Sequence, residues 1–258
     1  MRSEKSNDWN PETYARFRGL RLRPALDLLM QIGTPCGGPV VDLGCGDGAV
    51  SASLRARFPK REIVGIDSSA AMLAKARGYD RVIEADIASW APDAPPAVIY
   101  SNAALHWLPD HETLMPRLAR LLPENGVLAV QMPRQQMAPS HAALREVSAA
   151  LFPDRFDYSD WQPQVAAPEV YARMLAPFGT VSVWQSEYLQ RLPAAHGAHP
   201  VRLFTESTAM RPITEKLDPS EAARFIAAYE DALALDYPAE ADGSVLFPFR
   251  RLFFVLTR

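Results

Sequence analysis

The chain has 258 residues, 48% of them hydrophobic and 22% charged, with a net charge of −3. That length buries a full core, and so small a net charge gives no reason to expect nucleic acid or an anionic membrane as a partner. The two cysteines, Cys36 and Cys45, offer neither a disulfide framework nor a metal-binding spacing, and the polar first residues lack a signal-type apolar run, so a cytoplasmic location and no metal are expected.

In chain order, Asn10 reads as the cap of a helix that has Pro11 at its first position and carries Tyr14 and Phe17. A second helix is expected from Pro24 to Ile32, with Leu26, Leu29, Met30 and Ile32 as its apolar stripe. Periodicity alone fits either simple packing helices or a lid over residues 9–33. Val40, Val41 and Leu43 then form a short apolar run bounded by Pro39 and Gly44, which reads as a buried parallel strand. Gly44, Gly46 and Gly48 allow a tight turn, and a helix is expected from Ala49 to Phe58. Strand, glycine loop and helix together make a nucleotide-type pocket at the carboxyl end of a strand.

Two cofactor classes use such a loop. Gly44-x-Gly46-x-x-Ala49 satisfies the dinucleotide fingerprint, with Asp67 near the acidic position expected for a ribose. Charge separates the two classes. Asp42 at the strand tip and Asp47 inside the loop would repel a pyrophosphate but attract a ligand carrying an ammonium and a sulfonium. S-adenosylmethionine carries both, and its ribose hydroxyls suit Asp67. Cys45 lies in the same loop and joins the expected contacts.

The second strand, Glu62 to Asp67, ends in that acid, although Asp67 as an ordinary helix cap is the plainer alternative. Ser68 or Ser69 caps the next helix, predicted to run to Arg77 with Met72 and Leu73 inward; Ser68 and Met72 border the pocket. Arg81 to Ile87 is a third strand and turn, and Ala97 to Asn102 a fourth, beside the first in a doubly wound sheet. Ser101, Asn102 and the following residues to Trp107 therefore face the donor end. A helix from Pro109-Asp110 to Leu122 and a fifth strand from Gly126 to Met132 complete an alternation that implies a parallel α/β sheet.

Beyond Pro133 the pattern changes. Helices are expected at Ser140–Leu151, Pro168–Leu175, near 200–209 and at 219–236, with strands at Thr180–Tyr188 and Arg250–Leu256. The whole reads as one domain: a core over 39–132, cap insertions over 134–165 and 195–240, and a C-terminal sheet portion over 168–190 and 245–258. His106, His111 and His141 stand alone and read as packing or surface residues; no pair of side chains has the look of an acid–base couple. Arginines recur in the outer segments, at Arg18, Arg21, Arg23, Arg134, Arg211, Arg250 and Arg251, which suits an acceptor that is already an anion.

The run from Val40 to Gly48 resembles the first motif of the class I S-adenosylmethionine-dependent methyltransferases. That resemblance implies a mostly parallel, doubly wound sheet with an antiparallel last strand, Asp86 bonding the adenine amine and Ile87 packing on its ring. A closer resemblance rests on Trp9-Asn-Pro11, Tyr14, Phe17, Arg23-Pro24, Asp86 to Trp90, Ser101 to Asp110, Gln131-Met-Pro133, Arg211-Pro212 and Phe249 to Phe253. This combination is similar to the trans-aconitate 2-methyltransferase family, with His106 where many members have glutamine. The resemblance implies methyl esterification of a small polycarboxylate without a general base. Trp9, Tyr14 and Trp107 would position the acceptor, and Arg23, Arg211 and Arg251 would hold its other carboxylates. Arg251 as a charge on an edge strand is the plainer alternative. Other readings are a carboxylate methyltransferase of the malonyl-carrier-protein type, an NAD-dependent oxidoreductase, and a cofactor-binding protein without catalysis.

Overall fold

The computed structural model describes residues 18–206 and 208–258, which form two compact units. The first comprises the described residues up to Pro133 with Ala166–Ser186 and Arg251–Arg258; the second comprises Arg134–Val165 and Glu187–Arg250. Trp9, Asn10, Pro11, Tyr14 and Phe17 lie outside the described residues.

The first unit opens with α1, Arg18–Met30, a single helix in which Pro24 is an interior residue. The expected break before Pro24 does not occur. Proline deletes one backbone donor, but the buried face of Ala25, Leu28 and Leu29 holds the helix in place. The Tyr100 hydroxyl also donates to the Ala25 carbonyl at 2.8 Å. Leu26 and Met30 are exposed, so the stripe runs through Ala25, Leu28, Leu29 and Ile32 instead.

Strands and helices then alternate: β1 (Val40–Leu43), α2 (Ser51–Arg57), β2 (Ile63–Asp67), α3 (Ala70–Leu73), β3 (Arg81–Glu84), β4 (Val98–Asn102), α4 (His111–Arg120) and β5 (Val127–Pro133). Helix α3 is shorter than expected, a single turn capped by the Ser69 side chain. Two strands follow later, β6 (Thr180–Leu192) and β7 (Val245–Thr257), each running from one unit into the other. Among the described residues these seven strands make one sheet in the order β3-β2-β1-β4-β5-β7-β6. β1 to β5 pair in parallel, and β7 runs antiparallel against β5. The strands from β1 to β5, except edge strand β3, are buried nearly throughout, the reason they read as unbroken apolar runs.

Register fixes what shares a face. Asp42 pairs with Gly65 and Tyr100, Asn102 with Gln131, and Gln131 with Phe253. Residues opposite one another, or two apart on one strand, project to the same side. Asp42, Asp67, Asn102, Gln131 and Arg251 therefore line one face near the carboxyl edge. Since neighbouring strands lie roughly 5 Å apart, the acids on β1 and β2 stand on the order of 15–20 Å from the arginine on β7.

In the second unit, Pro139–Leu151 (α5) and Pro219–Asp236 are joined by the Tyr229 hydroxyl, which donates to the Ser140 carbonyl at 3.0 Å. Asp218 caps the latter helix in a reciprocal arrangement with Glu221. Burial beside Arg145 pushes the His141 ring down to about pKa 4. A folded value below the unfolded one means that unfolding takes up a proton, so stability is intact above roughly pH 6.5 and falls as pH drops toward 4. His141→Gln should flatten that decline by on the order of 2 kcal/mol in denaturant titrations at pH 4.5 compared with pH 7; equal slopes in both proteins would refute the assignment.

Candidate functional site

The site grows from the turn after β1. Gly44 has φ +77°, and a Cβ there would lie 2.1 Å from the Ala104 Cβ, so the β4 tip packs where no side chain fits. Gly46 differs: φ is +55°, but only the Met72 methyl comes within 4 Å of an added Cβ. The space beside Gly46 is therefore open.

The loop's amides are turned inward. The Gly44 and Cys45 N–H groups both donate to the Ile66 carbonyl, at 2.8 and 3.0 Å, and the Gly46 N–H donates to Asp67 Oδ2 at 2.8 Å. Asp67 Oδ1 accepts from the Ser69 N–H at 2.9 Å. Three successive amides are thus spent on the end of β2, while the half-exposed Asp67 carboxylate keeps lone pairs for further donors.

Asp42 lies at the tip of β1, as the sequence argument placed it, but it is buried there. It is 2% exposed and accepts a 2.7 Å hydrogen bond from the Tyr79 hydroxyl. Burial, which that bond only partly offsets, with Asp67 nearby, pushes its carboxyl up to about 7. Beneath the loop, Tyr79 and the Cys45 thiol fill the space over Gly65, where a Cβ would lie 2.9 Å from Cys45 Sγ and 3.2 Å from the Tyr79 ring. Burial, with Asp42 and Asp67 close by, raises the Cys45 thiol far above its usual range and keeps it protonated. Tyr79 was not anticipated: it sits in the connection before β3, and its partner is 37 residues away.

On one side of the pocket, exposed Asp86 accepts the Ala88 amide at 2.9 Å, and Ile87 is buried with its Cδ1 against the Gly44 position. Ser68 is exposed and Met72 buried. On the other side, Ser101 is wholly buried and its hydroxyl donates to the Leu43 carbonyl at 2.8 Å, which clamps β4 to β1. Asn102 Oδ1 is buried and has no hydrogen-bond partner among the described residues. Trp107 is 44% exposed and its ring touches that of His106, with centroids 4.6 Å apart. His111 is a packing residue: Nε2–H meets the Leu105 carbonyl at 2.9 Å and Nδ1 the Tyr171 hydroxyl at 2.6 Å, as a neutral ring allows. Burial lowers its pKa accordingly.

The arginines divide. Arg251 is 2% exposed on β7, which lies between β5 and β6, so the edge-strand alternative fails. Its Nη1 donates to Gln131 Oε1 at 3.3 Å. Arg23 is a surface residue of α1, paired with Asp27 at 3.9 Å. In the second unit, Arg211 begins the short helix Arg211–Thr214 and pairs with Glu215 at 2.7 Å, and exposed Arg250 pairs with Glu187 at 2.9 Å. Among the described residues no three His, Cys, Asp or Glu side chains gather as a metal-ligating group, and no helix is long and apolar enough to cross a membrane.

A family model described as a methyltransferase domain matches residues 14–203. A trans-aconitate 2-methyltransferase from Methylobacterium nodulans is 40% identical over 97% of this chain and 98% of its own. Among solved structures, the YcgJ protein of Bacillus subtilis has the same fold at 12% identity, with a TM-score of 0.59 over 92% of this chain and 98% of that one. So does phosphoethanolamine N-methyltransferase 2 of Haemonchus contortus in complex with S-adenosyl-L-methionine, at 15% identity and a TM-score of 0.50 over 91% of this chain and 52% of that one.

The buried Asp42–Tyr79 pair has a pH signature. A raised carboxylate pKa costs the folded state stability as pH climbs from about 4 through 7. Tyr79→Phe removes the donor that supports the ionised form, so its destabilisation should be greater at pH 8 than at pH 5, by about 1–2 kcal/mol. Denaturant titrations at the two pH values measure it, and a pH-independent loss would contradict the pairing.

Proposed function

The chain belongs to the trans-aconitate 2-methyltransferase family, and on that premise we propose that it methylates a carboxylate of a small polycarboxylic acid, foremost trans-aconitate, with S-adenosylmethionine as donor. The observation that carries the donor reading is the commitment of the Gly44, Cys45 and Gly46 amides to β2. A dinucleotide loop binds its pyrophosphate with free amides. Here the space over Gly46 is open except for the Met72 methyl, and the Gly46 amide holds the Asp67 carboxylate beside the loop, which favours a cation.

The residues present fit that donor. Asp67 accepts ribose hydroxyls while Gly46 and Ser69 hold it in place. Asp86 accepts the adenine amine, with its carboxylate oriented by Ala88, and Ile87 packs against the ring. The buried Asn102 Oδ1 is a ready acceptor for the ammonium. When bound, S-adenosylmethionine supplies an electrophilic methyl group: an oxygen–methyl bond forms as the sulfur–methyl bond breaks, and the electron pair stays on sulfur.

The work left to the chain is alignment and exclusion of water. An acceptor carboxylate is ionised at neutral pH, so no side chain has to take a proton from it. Arg251 lies on the same sheet face as Asn102, beyond Gln131, and its planar fork suits a carboxylate that does not react. Gln131 holds that fork from one side, and Trp107 provides an apolar wall at the β4 tip.

A radiolabelled methyl-transfer assay across di- and tricarboxylic acids tests the reading, with trans-aconitate expected to turn over fastest. Arg251→Lys keeps the charge and loses the fork; the acceptor KM should rise roughly tenfold while the donor KM holds. An unchanged acceptor KM and kcat/KM would remove Arg251 from the site.

A further inference from the structure

The turn that carries Asp86 and Ile87 is held by a side chain on a helix 30 residues away. Its inner bonds are local: the Ala88 N–H donates to Asp86 Oδ1 at 2.9 Å, and the Ser89 and Trp90 amides donate to the Asp86 carbonyl at 3.1 and 2.8 Å. Its outward carbonyls are taken by Arg117 of α4. Nη1 donates to the Trp90 carbonyl at 2.7 Å, and Nη2 makes a short bond to the Ile87 carbonyl. Asp86 lies close enough for its charge to oppose the lowering of the Arg117 pKa by burial. One guanidinium thus grips the turn at both ends.

We propose that Arg117 is a positioning residue for the donor's base, fixing Asp86 and Ile87 against the glycine loop so that an adenine is preferred to other purines. The proposal rests on the donor reading above. Asp86 is exposed and makes its local hydrogen bond through one oxygen, so nothing in the turn itself sets where the other oxygen points. Because Asp86 and Ile87 sit side by side in the turn, a rotation of the turn would displace both from the base they are proposed to hold. The fork blocks that rotation, because its two N–H groups lie in one rigid plane and end on carbonyls three residues apart. The same helix meets the Leu105 carbonyl through His111 at its first turn, so the turn is referred to an element already tied to the β4 tip.

The test compares wild type with Arg117→Met, which keeps the packing, and Arg117→Lys, which keeps the charge and reaches one carbonyl. Calorimetry gives the Kd of S-adenosylhomocysteine and of S-inosylhomocysteine, whose ring has a carbonyl in place of the amine. Arg117→Met should weaken the adenosyl ligand by about tenfold and the inosyl ligand by less than about twofold, with kcat at saturating donor within about twofold of wild type. Arg117→Lys should fall between, and it decides the matter if the methionine variant does not fold. Equal weakening of both ligands would reduce Arg117 to a structural support and overturn the proposal. Wild-type protein that bound neither ligand would overturn the donor reading and this assignment with it; wild type that bound both equally would overturn the assignment alone.

Discussion

The pairing of the glycine loop with the end of β2 is the constraint on which the carboxyl edge depends. Two amides on the Ile66 carbonyl and a third on Asp67 leave the loop no freedom to swing, and they fix the Asp67 carboxylate with the same bonds. With three of its amides spent on β2, the loop and the Asp67 carboxylate are fixed as one unit. The packing agrees: Ala104 lies where a Gly44 side chain would be, so the β4 tip and the loop have to be placed together.

That constraint changes what the acidic residues of the motif do. Asp42 and Asp67 are 25 residues apart in sequence and share a sheet face, yet they play different parts. Asp67 is half-exposed and held by two backbone donors. Asp42 is buried, held by a phenol and pushed up to about 7, which is the result of desolvation outweighing one hydrogen bond. A carboxyl group in that state is a hinge between strand, loop and Tyr79 before it is a counter-charge. The proposed preference for a cationic donor therefore rests on Asp67 and on the open space over Gly46, with Asp42 as their support.

Periodicity made the order of elements from Val40 to Met132 legible, because a parallel sheet buried on both sides writes each strand as an apolar run. The helix Pro168–Leu175 was legible to the residue through its proline start. Tertiary contact decided where local signals failed. Pro24 breaks helices in isolation, but a helix anchored through Ala25 to Tyr100 carries it. Ser101 has the polarity of a ligand contact, yet its position opposite Leu43 gives the hydroxyl a backbone partner. Tyr79 and Arg117 act across 37 and 30 residues, and no spacing in the chain marks either one. Arg251 was singled out through the resemblance and not by any spacing; alternation along β7 separates buried Arg251 from exposed Arg250.

The segment between β4 and α4 shows why such distant ties are needed. Ala103 and Asp110, at either end of it, have φ near +53°, a left-handed conformation that costs a residue with a Cβ on the order of 1 kcal/mol. Strain of that kind persists only where surrounding contacts over-determine the chain. They are present here: the Ala103 amide donates to the Gln131 carbonyl, the Asp110 side chain caps α4, and His111 closes on the Leu105 carbonyl with Tyr171 behind it. Tyr171 in turn stacks on Phe254 of β7, the strand that bears Arg251. The tip carrying Trp107 is thus fixed from β5, α4 and β7 at once, and a site whose task is alignment gains rigidity from precisely those three elements rather than from its own short loop.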